Sequence, residues 1–390
     1  MSKRSARRPR VAPYHAASLP LLTSIVLVAL TVACGGREAR PAVRTPSAGS
    51  AAVLDASVPE LLARYHVASV GIAVIIDGRI VLERAYGAQA PGIPATPATL
   101  YNLASLTKPV AAEVLLRLAS AGRLSLDEPM ASAWVDPDVA DDSRHLRLTP
   151  RIALAHQTGL PNWRGRSPGG RLTFAFDPGT GYGYSGEGYD YVARFAEKKV
   201  GRTFESLAQE TVFGPLAMRS TSFSARGWMR GRLAVPLDTA GRWAEPQVQD
   251  SGQWNAGNNL ITTAGDYARF VLSVMRGEEL TPDLAAERLR PARGPQAAWT
   301  CRFAPPAVCP RAVTMALGWK RLDFADGPVF MHTGRNDRPG GERTVAYFDP
   351  GHRRGAVVLT SGAEGERLYR DVLALVDPGA AVVAFLGQSD

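Results

Sequence analysis

The stretch "VGIAVIIDGRIVLERAYG", residues 70–87, constrains the fold more than any other part of this 390-residue chain. It holds two β-rich runs meeting at Asp77-Gly78, a pair that favours a two-residue hairpin turn with positive φ at both central positions. The first run, Val70–Ile76, is apolar at successive rather than alternate positions, so both of its faces need cover. Its partners lie far along the chain. Strand-like runs return as "ALGWKRLDF", "VFMHTG", "RTVAYFD" and "GAVVLTS", between residues 316 and 361. A last helix follows, with Leu368, Val372, Leu375 and Val376 on one face. Helical patterns and loops fill the middle. The expected class is therefore α+β: one domain over 53–390, with an α/β lobe built from about 53–104 and 276–390 and a helical lobe of about 105–275 inserted. The first helix is expected at the capping box Ser57-x-x-Glu60, with Val58, Leu61, Leu62 and Tyr65 as its apolar stripe. A cleft between two such lobes suits a small-molecule site.

The formal charge of +9 is concentrated at the N-terminus. Lys3, Arg4, Arg7, Arg8 and Arg10 stand without an acid in residues 1–34, and residues 35–52 add a net +2, leaving +2 for the rest. That is too little for a phosphate-tracking surface, so no nucleic-acid partner is expected. The basic start runs into "SLPLLTSIVLVALTVAC", the length of a signal peptide rather than of a membrane span. Its end, Thr31-Val32-Ala33-Cys34, resembles a lipoprotein box in which Cys34 would be lipidated, although leucine is usual where Thr31 stands. An ordinary cleaved signal or an uncleaved anchor is the alternative. Either way the expectation is an exported protein of the periplasm or cell envelope, held at the membrane through its N-terminus. Residues 35–52, small and polar with proline, read as a flexible tether.

Export also permits a disulfide between the two remaining cysteines, Cys301 and Cys309, with two buried free thiols as the other possibility. Six histidines with no metal-ligand spacing give no metal site.

Arginine is this chain's habitual cation: only five of its 45 basic residues are lysines. One of these, Lys108, stands three residues after Ser105 at the start of a helical run with Val110, Val114 and Leu118 on one stripe. Glu113 and Arg117 form an i,i+4 pair and Gly122 can end the helix. Pro109 places the helix start a little after Ser105. Residues three apart on a turn point together. A serine hydroxyl is a poor nucleophile until a base takes its proton, and a desolvated lysine can be that base where arginine cannot. None of the other four lysines has a serine three residues before it.

The surrounding segment, "TLYNLASLTKPVAAEVLLRLASAGRLSLDEPM", resembles the nucleophile segment of the serine β-lactamase and penicillin-binding-protein superfamily, in its class C-like branch. Further similar segments follow in family order: "LTPRIALAHQTGLPNW", "DPGTGYGYSGEGYDYVA", "FGPLAMRSTSF" and "VFMHTGRNDRPGG". The resemblance covers roughly residues 52–376. It implies the β-lactamase/transpeptidase-like fold, an antiparallel sheet flanked by N- and C-terminal helices, and an acyl-enzyme mechanism without cofactor. Ser105 would be the nucleophile, Lys108 its base partner and Tyr184 the proton relay, with Tyr182 as a competing register. His332, Thr333 and Gly334 would form the strand edge beside the substrate. The backbone N–H groups of Ser105 and Arg335 would form the oxyanion hole. The implied partner is a small-molecule or peptidoglycan-like substrate, and a monomer is expected. His332 as a plain strand residue is the alternative reading, and His156 reads as a brace for its loop.

Two positions depart from the family pattern. Gly186 stands where the second motif usually has an asparagine that holds a substrate amide carbonyl. Glycine supplies no donor there and is expected to leave room for a bulkier, less polar acyl group. His332 stands where β-lactamases keep lysine. Both point away from β-lactams and towards esters or D-amino-acid peptides, with a catalytically silent module that binds cell-wall fragments as the contrasting possibility. An α/β-hydrolase is excluded, since Ser185 has Glu187 where a nucleophile elbow needs glycine.

Overall fold

The hairpin at Asp77-Gly78 is the nucleus of the sheet. Strands β1 (Ser69–Ile76) and β2 (Arg79–Ala90) flank a two-residue turn, with φ of 51° at Asp77 and 70° at Gly78. These belong to a computed structural model that describes residues 48–299, 301, 305–338 and 340–388. The leader, Cys34 and the tether up to residue 47 lie outside the described residues. In chain order the remaining strands are β3 (Ile93–Pro94), β4 (Tyr101–Asn102), β5 (Ile261–Thr262), β6 (Ala312–Met315), β7 (Lys320–Phe324), β8 (Gly327–Arg335), β9 (Arg343–Asp349) and β10 (Arg354–Thr360). Eight of them form one sheet in the order β3-β2-β1-β10-β9-β8-β7-β6, antiparallel throughout. β1 pairs with β10, so the two ends of the chain meet in the middle of the sheet.

The helices are α1 (Ala48–Arg64), α2 (Lys108–Ser120), α3 (Pro150–Leu154), α4 (Gly186–Val200), α5 (Phe204–Ala208), α6 (Ala264–Arg276), α7 (Pro282–Arg288), α8 (Gly365–Val376) and α9 (Ala381–Leu386). β1 is buried on both sides, as its unbroken apolar run requires. Val70, Ile72 and Val74 pack with side chains of α1, α8 and α9, while Ala73 and Ile75 join a second core with α2, α4 and α6. This is the α+β, β-lactamase/transpeptidase-like fold. No described helix is long and apolar enough to cross a membrane.

Local readings needed correction at three places. α1 begins at Ala48, inside the segment read as a tether, so Ser57 lies within the helix and caps nothing. Its buried stripe reaches back to Leu54, and packing against α8 carries the helix past the local signal. Ala316–Trp319 is a turn rather than strand: Gly318 has φ of 89° and the Ala316 N–H donates to the Trp319 carbonyl, so β7 starts only at Lys320. On α8 the buried residue beside Val372 is Leu373, and Leu375 sits at the rim of the stripe. β6 and α9 carry no clear pattern of their own.

The Glu113–Arg117 pair is buried. Arg117 Nε donates to Glu113 Oε1 at 3.1 Å and Arg288 Nη1 to Glu113 Oε2 at 2.8 Å, with the three side chains at most 2% exposed. Arg117 also donates to the Thr211 carbonyl at 2.8 Å, and Arg288 to the Val274 carbonyl. The triad ties α2, the helix carrying Lys108, to α6 and α7.

Cys301 and Cys309 are bonded, with Cα atoms 6.1 Å apart. Non-reducing peptide mapping of protein isolated from an oxidising compartment is expected to recover them linked, and two free thiols there would reject the pairing. The loop is short, so reduction should cost about 2–3 kcal/mol by loss of chain constraint.

Candidate active site

Ser105 lies in a 3-10 turn, Ala104–Thr107, that runs directly into α2. The chain enters this turn through Ala104 at φ 47°, a left-handed conformation uncommon for a residue with a side chain. Polar contacts hold it there. The Ala104 N–H donates to Asn102 Oδ1 at 2.7 Å, and Thr107 Oγ1 donates to the Ala104 carbonyl at 2.6 Å. Thr107 Oγ1 also accepts from the Leu260 N–H at 2.9 Å. Pro109 falls in the first turn of α2, where its missing N–H is harmless. Ser105 is left half-buried, with Lys108 fully buried behind it.

Lys108 Nζ donates to Ser105 Oγ at 3.1 Å and to the Gly257 carbonyl at 2.7 Å. The rings of Tyr184, Trp163 and Tyr189 surround it, with centroids at 4.7, 5.5 and 5.8 Å. Burial pulls the ammonium pKa down to about 7, with the Asp190 carboxylate pulling the other way. Near neutrality a substantial share of Lys108 therefore carries a free lone pair and can accept the Ser105 proton.

Tyr184 immediately precedes Ser185, the N-cap of α4, whose Oγ accepts from the Gly188 N–H at 2.8 Å. Burial pushes the Tyr184 hydroxyl up to about 12, partly offset by a side-chain hydrogen bond with Ser105, so the group stays a phenol. Tyr182 instead packs edge-on to His156 at 6.2 Å. Of the two registers, Tyr184 is the one brought to Ser105 and Lys108. His156 lies beneath it, ring centroids 4.3 Å apart, and its Nδ1 accepts the Ser185 N–H at 3.1 Å. Burial, then Lys108 and His332, hold His156 well below its ordinary pKa. It is a neutral brace whose proton sits on Nε2.

β8 lines the other side. Gly334 is required by a close approach: a Cβ there would lie 2.0 Å from the Leu103 carbonyl oxygen and 2.2 Å from Thr344 Oγ1. Only glycine lets this strand lie against the segment leading into Ser105. Neighbouring Thr333 is half-buried. His332 donates from Nδ1 to the Thr333 carbonyl at 2.8 Å, and burial, then Lys108, hold its pKa at about 3. A neutral ring with an acceptor Nε2 thus lines this edge of the site. Arg335 is exposed, and its guanidinium donates to Asp337 at 2.6 Å.

Gly186 does not play the part expected of it. It leaves no open room, because a Cβ at this position would lie 2.4–2.7 Å from three atoms of the Trp163 indole. Gly186 is buried, and its N–H is taken by Asn162, whose Oδ1 accepts it at 2.9 Å. Sequence reasoning also passed over Asp190. Its Oδ1 accepts the Ala256 N–H at 2.7 Å and the Gly257 N–H at 3.2 Å, and its Oδ2 accepts from Asn255 Nδ2 at 3.0 Å. Asp190 therefore positions the Gly257 carbonyl, which accepts a hydrogen bond from Lys108. Burial, then Glu187, push its own pKa up to about 7. Both Trp163 and Asp190 fall within segments that carry the family resemblance, but nothing in their spacing marked them.

An eight-stranded antiparallel sheet with helices on both faces and a Ser-x-x-Lys turn beside one strand defines the β-lactamase/transpeptidase-like serine hydrolases. The chain belongs to the Beta-lactamase family, whose model matches residues 54–378. It is 27% identical over 296 residues to the esterase EstB of Burkholderia gladioli, covering 63% of this chain and 75% of that one. It is 25% identical over 323 residues to the D-alanyl-D-alanine-carboxypeptidase/endopeptidase AmpH of Escherichia coli K12, covering 76% of this chain and 80% of AmpH. Among solved structures, a class C β-lactamase superposes with a TM-score of 0.67 at 17% identity, over 85% of this chain and 97% of that one.

Proposed function

We propose that this chain is an exported hydrolase that forms an acyl-enzyme on Ser105 and cleaves esters in preference to β-lactams. One observation carries the reading: a fully buried lysine with a pKa near 7 lies 3.1 Å from a half-buried serine hydroxyl. Neutral Lys108 takes the Ser105 proton as Oγ attacks the substrate carbonyl carbon. The backbone N–H groups of Ser105 and Arg335 stabilise the oxyanion. The Tyr184 phenol gives its proton to the departing alkoxide and is reprotonated from Lys108. Water then attacks the acyl-enzyme with the same groups acting in reverse, returning free Ser105 and the carboxylic acid. Esters are favoured because their leaving groups need less acid assistance than amides, and because Gly186 offers no side-chain donor to an acyl-side amide.

The basic, apolar leader supports export, and Cys34 lipidation would hold the domain at the envelope. Labelling with a fluorophosphonate and with a fluorescent penicillin, followed by turnover of p-nitrophenyl esters, nitrocefin and D-Ala-D-Ala peptides, tests the whole reading. Absence of both label and turnover would indicate a silent binding module.

The pH dependence follows from Lys108. The base must be neutral, so kcat/KM should rise about tenfold per pH unit up to about 7 and level off above it. A profile still climbing towards pH 10, as an ordinary lysine would give with its pKa of ~10.4, would reject Lys108 as the base.

A further inference from the structure

Trp163 occupies the ground next to the Ser105–Lys108 pair that no motif accounts for. The benzo edge of its indole lies against two glycines. A Cβ on Gly186 would sit 2.4 Å from Trp163 Cη2, and a Cβ on Gly257 would sit 3.2 Å from the same atom. Neither glycine has a positive φ, so backbone conformation does not call for glycine at either position. Room for the indole does at Gly186, whereas at Gly257 the Gly186 backbone comes first, its oxygen 2.9 Å and its Cα 3.0 Å from such a Cβ, with the indole next. The ring centroid is 5.5 Å from Lys108 Nζ, which itself donates to the Gly257 carbonyl at 2.7 Å. Trp163 is only half-buried, so part of its surface remains open.

We propose that Trp163 determines acyl specificity. It fills the volume that a side chain at position 186 would need, and it offers an aromatic face where a hydrogen-bond donor would otherwise stand. The acyl group selected carries a flat, apolar ring one methylene from its carbonyl, an arylacetyl group rather than one bearing an amide. An indole packs well against an aromatic ring, while an amide carbonyl placed there would give up its water for no donor. This inference rests on the acyl-enzyme reading above.

The test compares p-nitrophenyl phenylacetate with p-nitrophenyl acetate on wild-type, Trp163→Ala, Gly186→Asn and Trp163→Ala/Gly186→Asn proteins. The two esters share a leaving group and a base, so their kcat/KM ratio cancels any change at Lys108. Trp163→Ala should lower the phenylacetate-to-acetate ratio by about tenfold or more. Gly186→Asn alone should lose melting temperature and fluorophosphonate labelling, because the indole must be displaced. The double variant should regain both, and should turn over nitrocefin faster, relative to acetate, than Trp163→Ala does. Should Trp163→Ala not melt cooperatively, Trp163→Leu carries the same test, since it keeps bulk without the flat face. A folded, labelled variant with an unmoved ratio overturns the inference, as does a Gly186→Asn protein that melts and labels like wild type. Failure of wild-type labelling would bring down the acyl-enzyme reading and this inference together, whereas a labelled wild type with unmoved ratios removes this one alone.

Discussion

Ser105→Ala is expected to abolish covalent labelling and to lower ester turnover by roughly 10⁴-fold or more, while the melting temperature hardly changes. In the proposed mechanism the proton acceptor, the oxyanion donors and the packing all remain, and only the atom that would form the acyl bond is gone. Ser105 is half-buried and its hydroxyl caps no helix, so little stability depends on it. Lys108→Arg should damage turnover nearly as much, for a different reason. Guanidinium cannot give up its proton, so the position would hold a permanent cation in a site whose burial already pulls the lysine pKa down to about 7. Label appearing on another serine in Ser105→Ala would remove Ser105 as nucleophile. Near-normal turnover by Lys108→Arg would mean that charge, not basicity, is what the site requires.

Glu113→Ala is expected to destabilise the fold by about 3–5 kcal/mol, the range for breaking a buried ion pair from one side. The substitution leaves Arg117 and Arg288 facing each other with no carboxylate between them, in a region where their side chains are 2% and 1% exposed. The remaining acceptors, the carbonyls of Thr211 and Val274 and the Ser273 hydroxyl, are neutral and cannot balance two cations. Urea unfolding of the two proteins measures the difference. A loss below about 1 kcal/mol would mean that water enters the site and hydrates the arginines. Because the triad joins α2 to α6 and α7, the variant should also lose activity at temperatures where wild type is still folded.

The parts of this protein legible in its sequence are those set by local backbone geometry. Asp77-Gly78 specifies a hairpin because both residues tolerate positive φ, and the observed values of 51° and 70° follow. The uninterrupted apolar run of β1 requires cover on both faces, which places the sheet at the centre of the fold. Ser105 and Lys108 meet because three residues along a helical turn bring two side chains to one side. The ordered motifs placed the chain in its family for the same reason: each is a short segment whose shape depends on its own residues.

What tertiary structure alone decided concerns how groups are surrounded. Whether Lys108 can be a base depends on the Gly257 carbonyl 149 residues away and on rings contributed by Trp163, Tyr184 and Tyr189. Glu113 and Arg117 read only as an i,i+4 pair, and it is Arg288, 175 residues from Glu113, that closes over them. Gly186 read as open space, and the indole of Trp163 fills it. At Lys108 the sequence called for desolvation without saying what supplies it, and at Gly186 it named the right residue and misjudged its surroundings. Spacing along a helix or strand fixes which neighbours a side chain has within a turn, whereas its pKa, its charge balance and its free volume depend on which distant segment folds over it and expels water.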